Sequence, residues 1–185
     1  DYRSKLGVSQ DFQMWVLPAR LLPRKGVFEF LEIFKHLENV KLFILGSGYL
    51  LDSLNEYIKT EEINAVLVGY VQEDTVLQYY WAADVFCLPS FKDPSPLSPV
   101  EALACGLPLL VSNRIGNVDD VLQSGINGWS FSPNDSMALR LSILSEVSKL
   151  NLEQLCSMGK ESRKIYDNTF DTKKVLNEYV NQLLG

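Results

Sequence analysis

A chain of 185 residues is enough for one sizeable domain with its own core. With 46% hydrophobic and 22% charged residues, disorder and low complexity are excluded, and the apolar runs fall far short of the ~20 residues a membrane-spanning helix needs. The 17 Lys and Arg against 23 Asp and Glu leave a net charge of −6, which argues against nucleic acid as a partner but leaves room for a small anion held by a local basic cluster.

In chain order, β-branched and aromatic runs at 13–17, 41–45, 65–68, 85–88, 109–112 and 129–131 predict strands. Amphipathic segments at 27–37, 50–60, 75–82, 99–105 and 118–123 predict the helices between them. In the first, Phe30, Leu31, Phe34 and Leu37 recur at spacings of three and four and build one apolar face. The strands are nearly continuous apolar runs, the pattern of a parallel sheet covered on both sides. From 136 onward the pattern is wholly helical, with segments at 136–149, 152–167 and 172–183. The predicted fold class is therefore α/β: a Rossmann-like, doubly wound, parallel six-stranded sheet with helices on both faces and a C-terminal helical cap. Its expected strand order is 3-2-1-4-5-6, with ligands bound at the carboxyl ends of the strands where the winding reverses.

That geometry singles out two loops. After the first strand, Arg20, Arg24 and Lys25 form a basic cluster that ends in Gly26 and leads into a helix. It is either a solvated charge cluster or a phosphate-binding loop. After the fourth strand, Asp93 sits in a segment stiffened by Pro94, Pro96 and Pro99, and the two loops should face each other. Gly46-Ser47-Gly48 follows the second strand. It is either a tight turn for backbone contact or a loop that lets a ligand's phosphate come close. Ser98-Pro99-Val100-Glu101 has the spacing of a capping box, which would occupy Glu101 with the Ser98 N–H; the alternative is that Glu101 accepts bonds from ligand hydroxyls. No nicotinamide fingerprint, P-loop, catalytic triad or metal-ligand spacing is present, so no metal and no cofactor are expected. His36 reads as a surface or helix-end residue. Asn127-Gly128 reads as a turn with Trp129 packing beside it. Cys87, Cys105 and Cys156, without ligand spacing, read as buried free thiols of a reducing compartment. The polar start, Asp1-Tyr2-Arg3-Ser4-Lys5-Leu6-Gly7, is unlike a signal peptide and reads as a cut from a longer chain.

Taken together, these segments resemble the C-terminal, donor-binding half of retaining family-four glycosyltransferases with the GT-B fold. The residues that carry the resemblance are Arg20-Leu21 with Lys25-Gly26, the Gly46–Gly48 turn, Val68-Gly69-Tyr70-Val71, and the run from Tyr79 to Ser90. Asp93 and Glu101, with seven residues between them, continue into Ala102-Leu103-Ala104-Cys105-Gly106-Leu107-Pro108, and Gly125-Ile126-Asn127-Gly128 closes the pattern. Departures are Asp93 for the usual glutamate, Pro94-Ser95-Pro96 for Gly-Phe-Gly, Pro18-Ala19 before the arginine, and one glycine where two are common in 112–117.

The resemblance implies a hexose transfer from a nucleoside-diphosphate sugar to a glycan or lipid-linked acceptor, with retention at the anomeric carbon. Arg20 and Lys25 would hold the diphosphate and stabilise the leaving charge, and Asp93 would position the sugar. Glu101 would accept the ribose hydroxyls, Tyr70 and Val71 would lie near the base, and Leu97 and Ser98 would offer backbone donors. Gly46 and Gly48 would let the donor approach. Residues 1–11 would be the tail of an interdomain linker and 12–185 the donor domain. An N-terminal acceptor domain, absent from this chain, would carry any membrane contact, and this half would be inactive alone. The implied location is the cytoplasm or the inner membrane face, with no nucleic-acid partner. A nucleotide-sugar epimerase half and a non-catalytic nucleotide-binding module are the alternatives.

Overall fold

The computed structural model describes residues 2–171. Six strands, β1 (Gln13–Pro18), β2 (Val40–Leu45), β3 (Ala65–Gly69), β4 (Val85–Leu88), β5 (Leu109–Ser112) and β6 (Gly128–Phe131), form one sheet ordered β3-β2-β1-β4-β5-β6. All pairings are parallel; in the centre Trp15 of β1 lies between Leu42 of β2 and Val85 of β4. Successive side chains of a strand point to opposite faces. Hence Trp15 and Leu17 enter one core while Met14 and Val16 enter the other, and all four are fully buried. Two-sided burial is why these strands read as unbroken apolar runs.

The helices are α1 (Tyr2–Lys5), α2 (Val27–Phe34), α3 (Leu51–Thr60), α4 (Glu73–Ala82), α5 (Ser98–Ala104), α6 (Val118–Val121), α7 (Met137–Ser148) and α8 (Leu152–Thr169). Side chains of α2, α3 and α7 cover the face of Trp15; those of α4 and α5 cover the face of Met14. Packing thus places α7 and α8 on the sheet domain, as the helical cap expected from the sequence. The segment 172–183 lies outside the described residues.

Several boundaries differ from expectation for identifiable reasons. Instead of reaching 37, α2 stops at Phe34, where His36 and Leu37 switch to bonds three residues back and Asn39 takes a left-handed φ of 57°. The short α6 ends at Val121 because the buried Asn127 intervenes. Its carboxamide accepts from the Gln123 N–H at 2.7 Å and donates to the Val121 carbonyl at 3.0 Å. Before β1, Arg3 pairs with Asp84 at 2.8 Å and Tyr2 packs edge-on against Tyr79. Among the cysteines only Cys87 is buried; Cys105 is half-buried and Cys156 exposed, which corrects the expectation of three buried thiols. Cys156 stands on the outer face of α8, where no packing demands an apolar side chain.

Candidate functional site

At the carboxyl ends of β1 and β4, where the winding reverses, lies a crevice of about 860 Å³. Its wall on one side is the loop after β1. Arg20 lines it and is exposed, and its guanidinium has no hydrogen-bond or ion-pair partner among the described residues. Pro23–Lys25 winds into a single 3-10 turn, which swings Lys25 inward. Lys25 is only 9% exposed and forms an ion pair with Asp93, itself 9% exposed, from the loop after β4. The two loops therefore meet across the crevice as the topology predicts. Backbone bonds reinforce the meeting: Phe91 N–H donates to the Arg24 carbonyl at 2.9 Å, and Arg24 reaches the Lys92 carbonyl at 3.2 Å.

Gly46 and Gly48 line the floor. They serve backbone contact in addition to any ligand. Gly46 has φ 138°, and a Cβ there would sit 2.0 Å from the Ala19 carbonyl oxygen; at Gly48, with φ 155°, it would sit 2.7 Å from that of Leu21. The loops after β1 and β2 are laced together by Leu21 N–H to Ser47 carbonyl and Leu50 N–H to Leu21 carbonyl, both 3.0 Å. Tyr70 and Val71 follow β3 on the rim, where Tyr70 is 71% exposed, and Leu97 and Ser98 form the rim opposite.

Glu101 is the exception among the residues singled out from sequence. It does not line the crevice but stands one turn into α5, beyond Ser98. Nor is there a capping box. Leu97 already has helical angles and is the N-cap, so Ser98 is the first residue of the helix and no side-chain cap bond forms. A residue with helical angles cannot turn its hydroxyl back onto the third amide, which is why the Ser-x-x-Glu spacing misled. The Glu101 carboxylate accepts instead from the hydroxyl of the buried Tyr80, at 3.4 Å. Desolvation pushes the Glu101 pKa above the usual carboxylate range; the Tyr80 bond pulls against this and the charge of Glu73 adds to it.

Three features of the site carry no local sequence signal. Tyr80, a fully buried α4 residue, meets Glu101 only because α4 and α5 pack on the same sheet face. The loop after β5 braces the Asp93 loop, with Gly116 N–H donating to the Asp93 carbonyl at 2.8 Å and Asn117 to that of Pro96 at 2.9 Å. Ser90, fully buried at the end of β4, has an unpartnered hydroxyl oxygen. Among the described residues no group of three or more His, Cys, Asp or Glu side chains could hold a metal ion, and no helix is long and apolar enough to cross a membrane.

Comparison with known proteins agrees with this geometry. The sequence profile of the glycosyl transferases group 1 matches residues 1–164. An uncharacterized glycosyltransferase of Methanocaldococcus jannaschii is 34% identical over 145 residues, covering 75% of this chain and 37% of that protein. The alpha-monoglucosyldiacylglycerol synthase of Acholeplasma laidlawii is 31% identical over 146 residues, covering 75% and 36%. The chain thus matches little more than a third of the length of these relatives. Among solved structures, HepE of Anabaena in complex with UDP superposes with a TM-score of 0.81 at 20% identity, over 98% of this chain and 51% of that one. Sucrose-phosphate synthase of Thermosynechococcus elongatus gives 0.83 at 20% identity, over 100% and 48%. Both are GT-B glycosyltransferase folds, matched here by the parallel six-stranded sheet. The chain belongs to the glycosyl transferases group 1.

Proposed function

We propose that this chain is the donor-binding half of a retaining hexosyltransferase. It would take a hexose from a nucleoside-diphosphate sugar and pass it to a glycan or lipid-linked acceptor in polysaccharide or glycoconjugate synthesis. The observation that carries this reading is the convergence of Arg20, Lys25, Asp93 and the Gly46–Gly48 turn on one crevice at the switch point. In the reaction the bond from the anomeric carbon to the diphosphate oxygen breaks and a glycosidic bond replaces it. Negative charge grows on the departing diphosphate, and fixed cations beside it stabilise that charge in the transition state. Arg20, unpartnered on the wall, can offer a forked pair of donors. Lys25 keeps spare N–H donors beyond its bond to Asp93 and is held by that bond. Asp93 orients the sugar, and exposed Tyr70, with Val71 next to it in the crevice lining, gives a base a flat surface. No cofactor is required beyond the donor. An N-terminal acceptor domain would complete the enzyme, in the cytoplasm or at the inner membrane face. The UDP and UDP-glucose complexes of the structural neighbour HepE, and the lipid product named for the Acholeplasma relative, support the donor and acceptor classes.

Calorimetric titration with UDP, GDP and ADP tests the reading. Selective binding of one is expected, and binding of none would favour a non-catalytic module. Arg20→Ala should weaken the bound diphosphate about tenfold or more, since a charge-assisted hydrogen bond contributes ~1.5–3 kcal/mol. The nucleoside without phosphates should be unaffected; an unchanged diphosphate affinity would return Arg20 to the role of a solvated charge.

Glu101 requires a different measurement. As the ribose acceptor it must be ionised, and its pKa is raised, so nucleotide affinity should fall as pH drops through the range just above ordinary carboxylates. Glu101→Gln should flatten that dependence and weaken the ribonucleotide by roughly 1–3 kcal/mol, with little change for a dideoxy analogue. Melting temperature should stay nearly constant, because no capping bond is lost. For folding the sign is reversed. A raised carboxyl pKa favours the folded state at low pH, and that contribution is lost as pH rises through the folded value.

A further inference from the structure

We propose that Asn117 is a positioning residue that aims the Leu97 backbone N–H into the crevice as a donor to the diphosphate. This rests on the nucleotide-sugar reading of the site and adds a residue that no motif singles out.

The loop after β4 has lost donors. Pro94, Pro96 and Pro99 carry no N–H, so between Asp93 and Val100 only Ser95, Leu97 and Ser98 retain one. The Leu97 N–H has no backbone acceptor among the described residues, and Leu97 lines the crevice. Its direction is set from the other side of the peptide. Asn117 Nδ2 donates to the Pro96 carbonyl at 2.9 Å, and the described peptides include no cis bond. In a trans peptide the carbonyl and the following N–H point opposite ways. Tying the Pro96 carbonyl to Asn117, which is not a crevice residue, therefore turns the Leu97 N–H toward the crevice.

The position of Asn117 makes this bond unusual. It is the N-cap of α6, a site where asparagine ordinarily accepts a bond from the helix's own amides. Here it makes no side-chain cap bond, and its Oδ1 is buried without a partner. The carboxamide leaves the helix uncapped and reaches across to the donor loop. Beside it, Gly116 N–H holds the Asp93 carbonyl, and a Cβ at Gly116 would lie 1.8 Å from the Pro94 carbonyl oxygen. The loop after β5 is pressed against the donor loop with no room for a side chain. Of the two carbonyls it ties back, only that of Pro96 is followed by an N–H, because the peptide after Asp93 leads into Pro94.

The test is amide NMR of the 15N-labelled chain, wild type, Asn117→Ala and the isosteric Asn117→Asp, free and with UDP or UDP-glucose. In the free protein both substitutions should shift or broaden the Leu97 amide while leaving Trp15 and Leu110 in the sheet unchanged. An unmoved Leu97 resonance in both variants overturns the proposal without reference to any ligand. On addition of UDP to wild type, Leu97 should move together with Ser47 and Gly48. In either variant the Leu97 response should shrink, and UDP affinity should fall about tenfold with uridine affinity unchanged. A response at Ser47 and Gly48 with Leu97 silent in wild type overturns the role of Asn117 alone. Silence at all three with UDP, UDP-glucose, GDP and ADP overturns the donor-site reading, and the proposal with it.

Discussion

Lys25→Ala should lower the melting temperature by roughly 6–20 °C. Asp93 would be left as a charge only 9% exposed with its cation gone, and breaking one side of a buried pair costs about 3–5 kcal/mol. For a chain of this size each kcal/mol is worth ~2–4 °C. The companion variant, Lys25→Met with Asp93→Leu, should recover most of that loss, because apolar residues of similar volume replace a buried pair at little cost. Diphosphate binding should stay weak in both, since the cation is absent from both. Thermal unfolding followed by calorimetric titration separates the two roles of Lys25. Recovered binding in the apolar double variant would show that Lys25 acts only by holding the loops together.

The second large effect is expected at Gly46. An alanine Cβ would sit 2.0 Å from the Ala19 carbonyl oxygen, in a backbone conformation of φ 138° that L-residues avoid. Overpacking and backbone strain together should cost roughly 2–4 kcal/mol, a fall of roughly 5–15 °C. The only relief is separation of the loops after β1 and β2, which would also move Arg20 away from the floor of the crevice. Gly46→Ala should therefore lose diphosphate binding well beyond its loss of stability at the assay temperature. By contrast, alanine at Gly125, where an added Cβ meets nothing within 4 Å, would pay the backbone strain alone and should leave binding intact.

The structure also explains why the donor loop tolerates its prolines. Its carbonyls are held from behind by Gly116 and Asn117, so the loop needs no internal N–H bonds to keep its shape. Proline costs nothing where the amide it removes had no acceptor.

Most of the fold was legible from residues alone. Unbroken apolar runs such as Met14 to Leu17 can bury both faces of a strand only inside a covered parallel sheet, and six of them separated by helical segments leave few right-handed topologies. The order of the strands in turn located the crevice and the loops that carry Arg20, Lys25 and Asp93, while the family resemblance pointed to Tyr70, Val71, Leu97 and Ser98; all of these line it, with Gly46 and Gly48. Tertiary structure decided which of these groups are spoken for. Lys25 reads as one of three exposed cations, yet the 3-10 turn buries it against Asp93, 68 positions away, while Arg20 remains open. Glu101 has the spacing of a capping box, yet the helical angles of Leu97 exclude the cap and Tyr80 takes its carboxylate. Asn117 has the identity of a helix cap, yet it bonds Pro96. Local patterns report what a side chain can do within its own few residues. Whether it does so depends on which distant group the packed sheet brings within hydrogen-bond reach, and no spacing along the chain encodes that distance.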